Sequence, residues 1–172
     1  MTADRAAERL LPSDPGRMRR FLDTFFYEEG AFLIDEVVEL DAQARAITAI
    51  MDTRRYLPLT SLQRVDAHHP AHVTAAELLM VTGSLGCMHA WFFHGCYWDE
   101  GWAGYGSRIH RADFKRLALI GPPLRLESRE TRLRVGARRT MLRYDFQFWQ
   151  DGEIVYRGDQ SALFVRDAPT QP

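Results

Sequence analysis

The sequence predicts an α+β fold in which one antiparallel sheet wraps around a long central helix, all within a single domain. Two observations carry this expectation. Residues 74–95 form a run that is apolar nearly all the way round a helix, as expected of a helix buried on most faces. The second half of the chain reads as strand after strand. Its clearest alternation lies over Thr140–Gln150, where Leu142, Tyr144, Phe146 and Phe148 face one way and Arg143, Asp145 and Gln147 the other. A helix that is apolar on more than one side needs a sheet that curves around it.

Taken in order, Met1–Pro15 is polar, lacks the apolar stretch of a signal peptide, and reads as a loose leader. Arg17–Tyr27 places Met18, Phe21, Leu22, Phe25 and Phe26 at helical spacing, with Gly30 as the stop. Ala31–Leu40 and Ala44–Asp52 read as a strand pair joined by a turn at Asp41-Ala42-Gln43. Tyr56–Pro70 is irregular. The buried helix follows, with Gly83 and Gly86 one turn apart, where a strand or a partner's backbone is expected to approach closely.

Four strands then form a meander: Tyr105–Phe114, Leu124–Val135, Thr140–Gln150 and Glu153–Val165. Asp151-Gly152 is a strong hairpin turn, and Gly158 is a candidate bulge. Ala168–Pro172 reads as a loose tail, which leaves residues 16–167 as the domain. This order of elements is the hotdog arrangement.

Bulk properties exclude several function classes. A chain of 172 residues with 46% hydrophobic and 12% aromatic content builds a core and is not intrinsically disordered. The net charge of −1 gives no general pull toward nucleic acid. Cys87 and Cys96 make no disulfide framework and read as core thiols, so a reducing cytoplasm is the expected location. Ala75–Trp98 carries Glu77, His89, His94 and three glycines without a basic flank, so it reads as a buried helix and not a membrane span.

The chemistry concentrates at the start of the long helix. In His68-His69-Pro70-Ala71-His72-Val73-Thr74-Ala75-Ala76-Glu77, three imidazoles, a hydroxyl and a carboxylate meet at a loop-to-helix junction. Such a junction offers unpaired backbone N–H groups and the positive end of the helix dipole, both suited to a developing oxyanion. Thr74 as N-cap and Glu77 three residues later also form a capping box, so Glu77 has a purely structural reading beside a catalytic one. No metal is expected, because the spacing of His68, His69 and His72 fits no established zinc signature. Ser84 lacks the strand-to-helix context of a serine hydrolase.

Phe32-Leu33-Ile34-Asp35, the block His72-Val73-Thr74-Ala75-Ala76-Glu77-Leu78, and Phe148-Trp149 through Ser161-Ala162-Leu163 resemble the FcoT-like hotdog thioesterases. The likeness spans roughly Phe32 to Phe164. The family acts on acyl thioesters, and some members add glycine to a 2-enoyl thioester. Thr74 stands where the family block has asparagine, and Gly83 where its better-known members have a second one. Tyr56 resembles the tyrosine that precedes the block. His68-His69-Pro70-Ala71 also resembles the His-Phe-Pro-Gly of FabZ-type dehydratases, but the position that needs a helix carboxylate there is Thr82, which disfavours simple dehydration.

The resemblance implies a homodimer acting on acyl-CoA or acyl-ACP thioesters, with no cofactor. Glycine would attack C3 and water would then cleave the thioester, giving an N-carboxymethyl-3-amino acid. An ordinary acyl-CoA or acyl-ACP thioesterase and a non-catalytic acyl- or partner-binding hotdog module stand as alternatives. His72 and Glu77 are the candidate bases, tunable by burial. Thr74 and Tyr56 are candidates to place a water or an amine, with N-capping and core packing as their structural readings. His68 is a further pocket candidate. The segment Arg108, His110, Arg111, Lys115 and Arg116 is either a solvated face or a landing site for a phosphopantetheine or a substrate carboxylate. Trp91, Phe92, Phe93, Tyr97, Trp98 and Trp102 read as core, dimer contact or a wall of the acyl site.

Overall fold

The computed structural model describes residues 3–166. Its centre is helix α3 (Ala75–His94), opened by the Thr74 N-cap and closed by Gly95 in the left-handed conformation at φ 64°. Six strands form the sheet around it: β1 (Glu36–Asp41), β2 (Ala46–Met51), β4 (Trp102–Phe114), β6 (Leu124–Val135), β7 (Arg139–Gln150) and β8 (Glu153–Arg166). All pairings are antiparallel, in the order β1-β2-β6-β7-β8-β4. The two-residue strands β3 (His72–Val73) and β5 (Ala118–Leu119) pair with each other outside this sheet.

The alternation expected of β7 is realised. Leu142, Tyr144, Phe146 and Phe148 are buried toward α3, and Asp145 and Gln147 face solvent. The hairpin to β8 turns on Asp151 and Gly152, both at positive φ (51° and 78°), which suits a tight turn matched to strand twist. Tyr144 packs its ring where a Gly86 side chain would sit, 3.3 Å from an ideal Cβ, and its hydroxyl donates to the Gly86 carbonyl at 3.1 Å. Close approach at Gly86 is therefore as expected. Gly83 instead faces open space.

Several expectations are corrected. Only β6, β7 and β8 form a meander; β4 lies beyond β8 at the sheet edge, because the chain crosses the sheet between β4 and β6. Gly158 stays in register with Phe146 and Ala112 and is not a bulge. It makes room for Tyr156, whose hydroxyl would lie 2.3 Å from an added Cβ. The register of β4 against β8 shifts between Gly106 and Arg108 and again between Ile109 and Arg111.

Where a loose leader is expected over residues 1–15, Ala3–Leu10 forms helix α1, and Ala6, Ala7, Leu10 and Leu11 are buried. Helix α2 (Pro15–Thr24) starts at the Asp14 N-cap and ends well before Gly30. Phe25 leaves the helix in extended conformation, and its ring packs 5.1 Å from Phe21 and 5.5 Å from Phe32. Phe21, Phe25 and Phe32 thus form one ring cluster, and Phe25–Tyr27 leaves α2 from it as a strap. The tail at residues 168–172 lies outside the described residues.

Candidate active site at the start of the long helix

His72 sits on β3, half-buried, immediately before the Thr74 N-cap. Its Nδ1 lies 2.8 Å from the Pro70 carbonyl oxygen. A carbonyl only accepts, so in the neutral ring Nδ1 carries the proton and Nε2 keeps a lone pair, the state a general base needs. The backbone of His72 is held by the amide of Gln63, which donates to the His72 carbonyl at 2.7 Å and accepts from its N–H at 3.3 Å. The ring of His69 stands edge-on to that of His72, centroids 5.0 Å apart.

Glu77 is fully buried, at 0% exposure. Its Oε1 accepts from the backbone N–H groups of Leu59 (2.9 Å) and Thr60 (3.1 Å). Its Oε2 accepts from the Thr60 hydroxyl, the Thr74 hydroxyl (2.8 Å) and the Thr74 N–H (3.2 Å). The capping box is complete, since the Glu77 N–H donates back to Thr74 Oγ1. Burial pushes this carboxyl up, but the hydrogen bonds from Thr60, Thr74 and Leu59 outweigh it and hold the group below its ordinary 4.5. Every oxygen of Glu77 is engaged in tying the 58–62 loop to the helix start. Glu77 is thus held as a clamp between loop and helix, whereas His72 Nε2 makes no hydrogen bond among the described residues.

The backbone N–H groups of Ala75 and Ala76 belong to the exposed first turn, where no carbonyl lies a turn earlier to receive them. Thr60 and Gln63, which organise the junction, lie in the irregular segment and carry no sequence signal beyond being polar residues in a loop.

The other candidates are dispersed. Tyr56 is 74% exposed, neither core nor cavity wall. His68 is exposed, and its N–H donates to Asp66 in a turn that also engages His69. On the edge strand, Arg111 and Lys115 both lie near Asp113 (3.8 and 3.3 Å), and Arg116 pairs with Glu153. Arg108 is exposed without an ion pair among the described residues, and His110 Nε2 lies 2.7 Å from Ser161 Oγ.

An apolar cavity of about 290 Å³ lies between α3, β4, β7 and β8. Met80, Gly83 and Cys87 line it from the helix, Tyr144 and Phe146 from the sheet, and Phe25–Tyr27 from the strap. The wall is thus the strap and the sheet, not the Trp91–Trp102 aromatic run; Trp91 and Phe92 pack with Phe21 in the core. Its polar lining includes Thr82 and Gln160, whose side chains meet at 3.0 Å. Gln160 Nε2 donates in turn to the Tyr156 hydroxyl. Ser84 donates to the Met80 carbonyl and, among the described residues, to no base.

Burial pushes the Cys87 thiol up to about 12 and that of Cys96 to about 11, as suits core thiols and not nucleophiles. Among the described residues no cluster of His, Cys, Asp and Glu is arranged to hold a metal ion, and no helix is long and apolar enough to cross a membrane.

The sequence matches no protein-family model and no curated protein. Its fold matches solved structures. A Q49A mutant of thioesterase PA1618 from Pseudomonas aeruginosa superposes with a TM-score of 0.52 at 16% identity, over 77% of this chain and 81% of that one. S. sahachiroi AziG gives 0.51 at 17%, over 77% and 91%. Thioesterase HI1161 from Haemophilus influenzae gives 0.50 at 12%, over 80% and 82%. At these identities the likeness establishes the fold, and the chain has the hotdog fold.

Proposed function

We propose that this chain is an acyl-thioester enzyme acting on a 2-enoyl thioester carried by CoA or by acyl carrier protein. The observation that carries the reading is the apolar cavity beside α3, on the same helix whose first turn presents free N–H groups next to His72. Met80, the first cavity residue on α3, lies roughly 7.5 Å along the helix from Ala75. An acyl chain in the cavity would therefore carry its thioester toward that first turn. Two neighbours of the same fold are named thioesterases, which supports this substrate class.

In the proposed reaction the amine of glycine forms a bond to C3, and the C2–C3 π electrons move onto the carbonyl oxygen as an enolate. The N–H groups of Ala75 and Ala76 hold that oxygen. His72 Nε2 accepts the proton the amine loses and returns it to C2. Water then adds to the thioester carbonyl and the thiol leaves, giving an N-carboxymethyl-3-amino acid. The glycine step rests on the likeness of the His72–Leu78 block and of Tyr56 to the glycine-adding enzymes.

Plain hydrolysis is the second reading, and one observation favours it: among the described residues no charged side chain lines the cavity to hold the amine or carboxylate of glycine. Tyr105 and Ile109 are exposed on the edge strand β4, which supports a homodimer built along that edge. The exposed, unpaired Arg108 is the best remaining candidate to meet a carrier phosphate.

Mass spectrometry of products from short and medium 2-enoyl thioesters, with and without glycine, tests the reading. A glycine-dependent N-carboxymethyl-3-amino acid is the expected product. Free enoic acid alone at any glycine concentration supports plain hydrolysis and removes the addition step. No product from any thioester overturns the enzyme reading in favour of a binding module.

A further inference from the structure

Two cavities lie on either side of the Phe25–Tyr27 strap. The 290 Å³ cavity beside α3 is one; the other, of about 480 Å³, is lined by Ala6, Leu22, Asp23, Glu28 and Phe32. Phe25, Phe26 and Tyr27 line both, so the strap is the partition between them. The first cavity is at the small end of ligand sites, which span roughly 300–1,000 Å³. A chain entering it from the helix start meets the strap.

The three rings of the strap are held differently. Phe25 is locked into the core against Phe21 and Phe32. Tyr27 is 66% exposed. Phe26 is 39% exposed, and its ring lies 4.5 Å from that of Trp98. It also lies over Gly104, 3.5 Å from where a Cβ would be, and Phe164 comes within 2.6 Å of the same point. The missing side chain at Gly104 leaves room for both rings over β4. Phe26 is thus packed against Trp98 and over Gly104 of β4, and with Phe25 and Tyr27 it lines both cavities.

We propose that the strap sets the length of acyl chain the protein accepts, and that Phe26 is the residue that fixes the limit. The inference rests on the reading of the cavity as an acyl site. It assigns the wild-type protein short to medium chains. Removing the Phe26 ring joins the second cavity to the first and admits longer ones.

Binding of S-alkyl coenzyme A thioethers, from butyl to hexadecyl, tests this without requiring turnover. In the wild type, affinity should rise about fourfold per added methylene until the chain reaches the strap, and then stop rising. Phe26→Ala should carry that rise through several further methylenes, Phe26→Leu should move the limit less, and Phe26→Trp should shorten it. If Phe26→Ala and Phe26→Leu, both folded by circular dichroism, keep the wild-type limit or lose affinity equally at every length, the strap is only a structural clamp and the proposal fails. If the wild type binds no thioether of any length, the acyl reading of the cavity itself falls and takes the proposal with it. The two failures are therefore distinguishable.

Discussion

The amide of Gln63 serves His72 as a neighbouring strand would, donating to its carbonyl at 2.7 Å and accepting from its N–H at 3.3 Å. Across the β3–β5 pair, His72 faces Leu119, and the amide of Gln150 holds Leu119 in the same manner, at 2.8 Å to both its N–H and its carbonyl. A two-residue ladder, too short to be stable alone, is thus closed at both edges by glutamine side chains. With its backbone fixed and Nδ1 bound to the Pro70 carbonyl, the imidazole of His72 keeps one tautomer and one direction.

Gln63→Ala should therefore lower kcat by about tenfold to a hundredfold with little change in KM, since a catalytic group misplaced by about 1 Å costs that order of rate. Steady-state kinetics on a 2-enoyl thioester measures it. An unchanged kcat would mean that His72 needs no such support.

Glu77→Ala should cost about 3 kcal/mol of stability, read as a shift in urea midpoint. The loss leaves the donors of Leu59, Thr60 and Thr74 without their charged acceptor. That exceeds the roughly 1 kcal/mol of an ordinary capping residue. Glu77→Gln places an amide among donors and should be nearly as costly. A variant that unfolds like the wild type would refute the clamp.

Glu77 and Glu130 should both make stability sensitive to acid. Burial pushes Glu130 up, but His94 at 2.6 Å and Arg45 at 2.9 Å outweigh it and hold the carboxyl below its ordinary range, as the hydrogen bonds do for Glu77. A carboxylate with a lowered folded-state pKa binds its proton more readily when unfolded. Its contribution is therefore complete above about pH 4.5, the ordinary value, and is lost as pH falls through the lower folded values. Urea midpoints should begin to fall below about pH 6.5, where the unfolded chain protonates His89, which burial holds neutral down to about 3. They should fall further below 4.5 as the two carboxylates are lost, and that second fall should be shallower in Glu130→Gln. A midpoint that holds or rises on acidification would contradict this.

Gly158→Ala should destabilise by about 1–3 kcal/mol through overpacking, because the new methyl meets the Tyr156 ring and hydroxyl. The cost should shrink in a Tyr156→Phe background, which removes the nearest atom. A double-mutant cycle by thermal denaturation reads the coupling. Purely additive effects would show that Tyr156 is not what keeps this position glycine.

Much of this fold was legible because its signals are local. Thr74, Glu77 and Gly95 mark both ends of α3, β7 follows from two-residue alternation, and the Asp151-Gly152 turn joins it to β8. The place of β4 beyond β8 was not legible, since strand order depends on pairings distant in sequence. The burial pattern of α1 at Ala6, Ala7, Leu10 and Leu11 is helical, but it is short and set among charged residues. At the site, His72 and Glu77 were visible as residue types, but their separation into base candidate and clamp was not. It depends on Thr60 and Gln63, from a loop with no periodicity, and the cavity wall likewise draws on the strap and three strands.

Release of free thiol from a 2-enoyl-CoA by the wild type and by His72→Ala, both with the same melting temperature, decides whether His72 carries the chemistry. Turnover is expected from the wild type, with a loss of about a hundredfold to ten-thousandfold in the variant, the range seen when a general base is removed. Equal rates in the two proteins would contradict the assignment of the chemistry to His72, and no release by either would contradict the assignment of the protein to acyl-thioester chemistry.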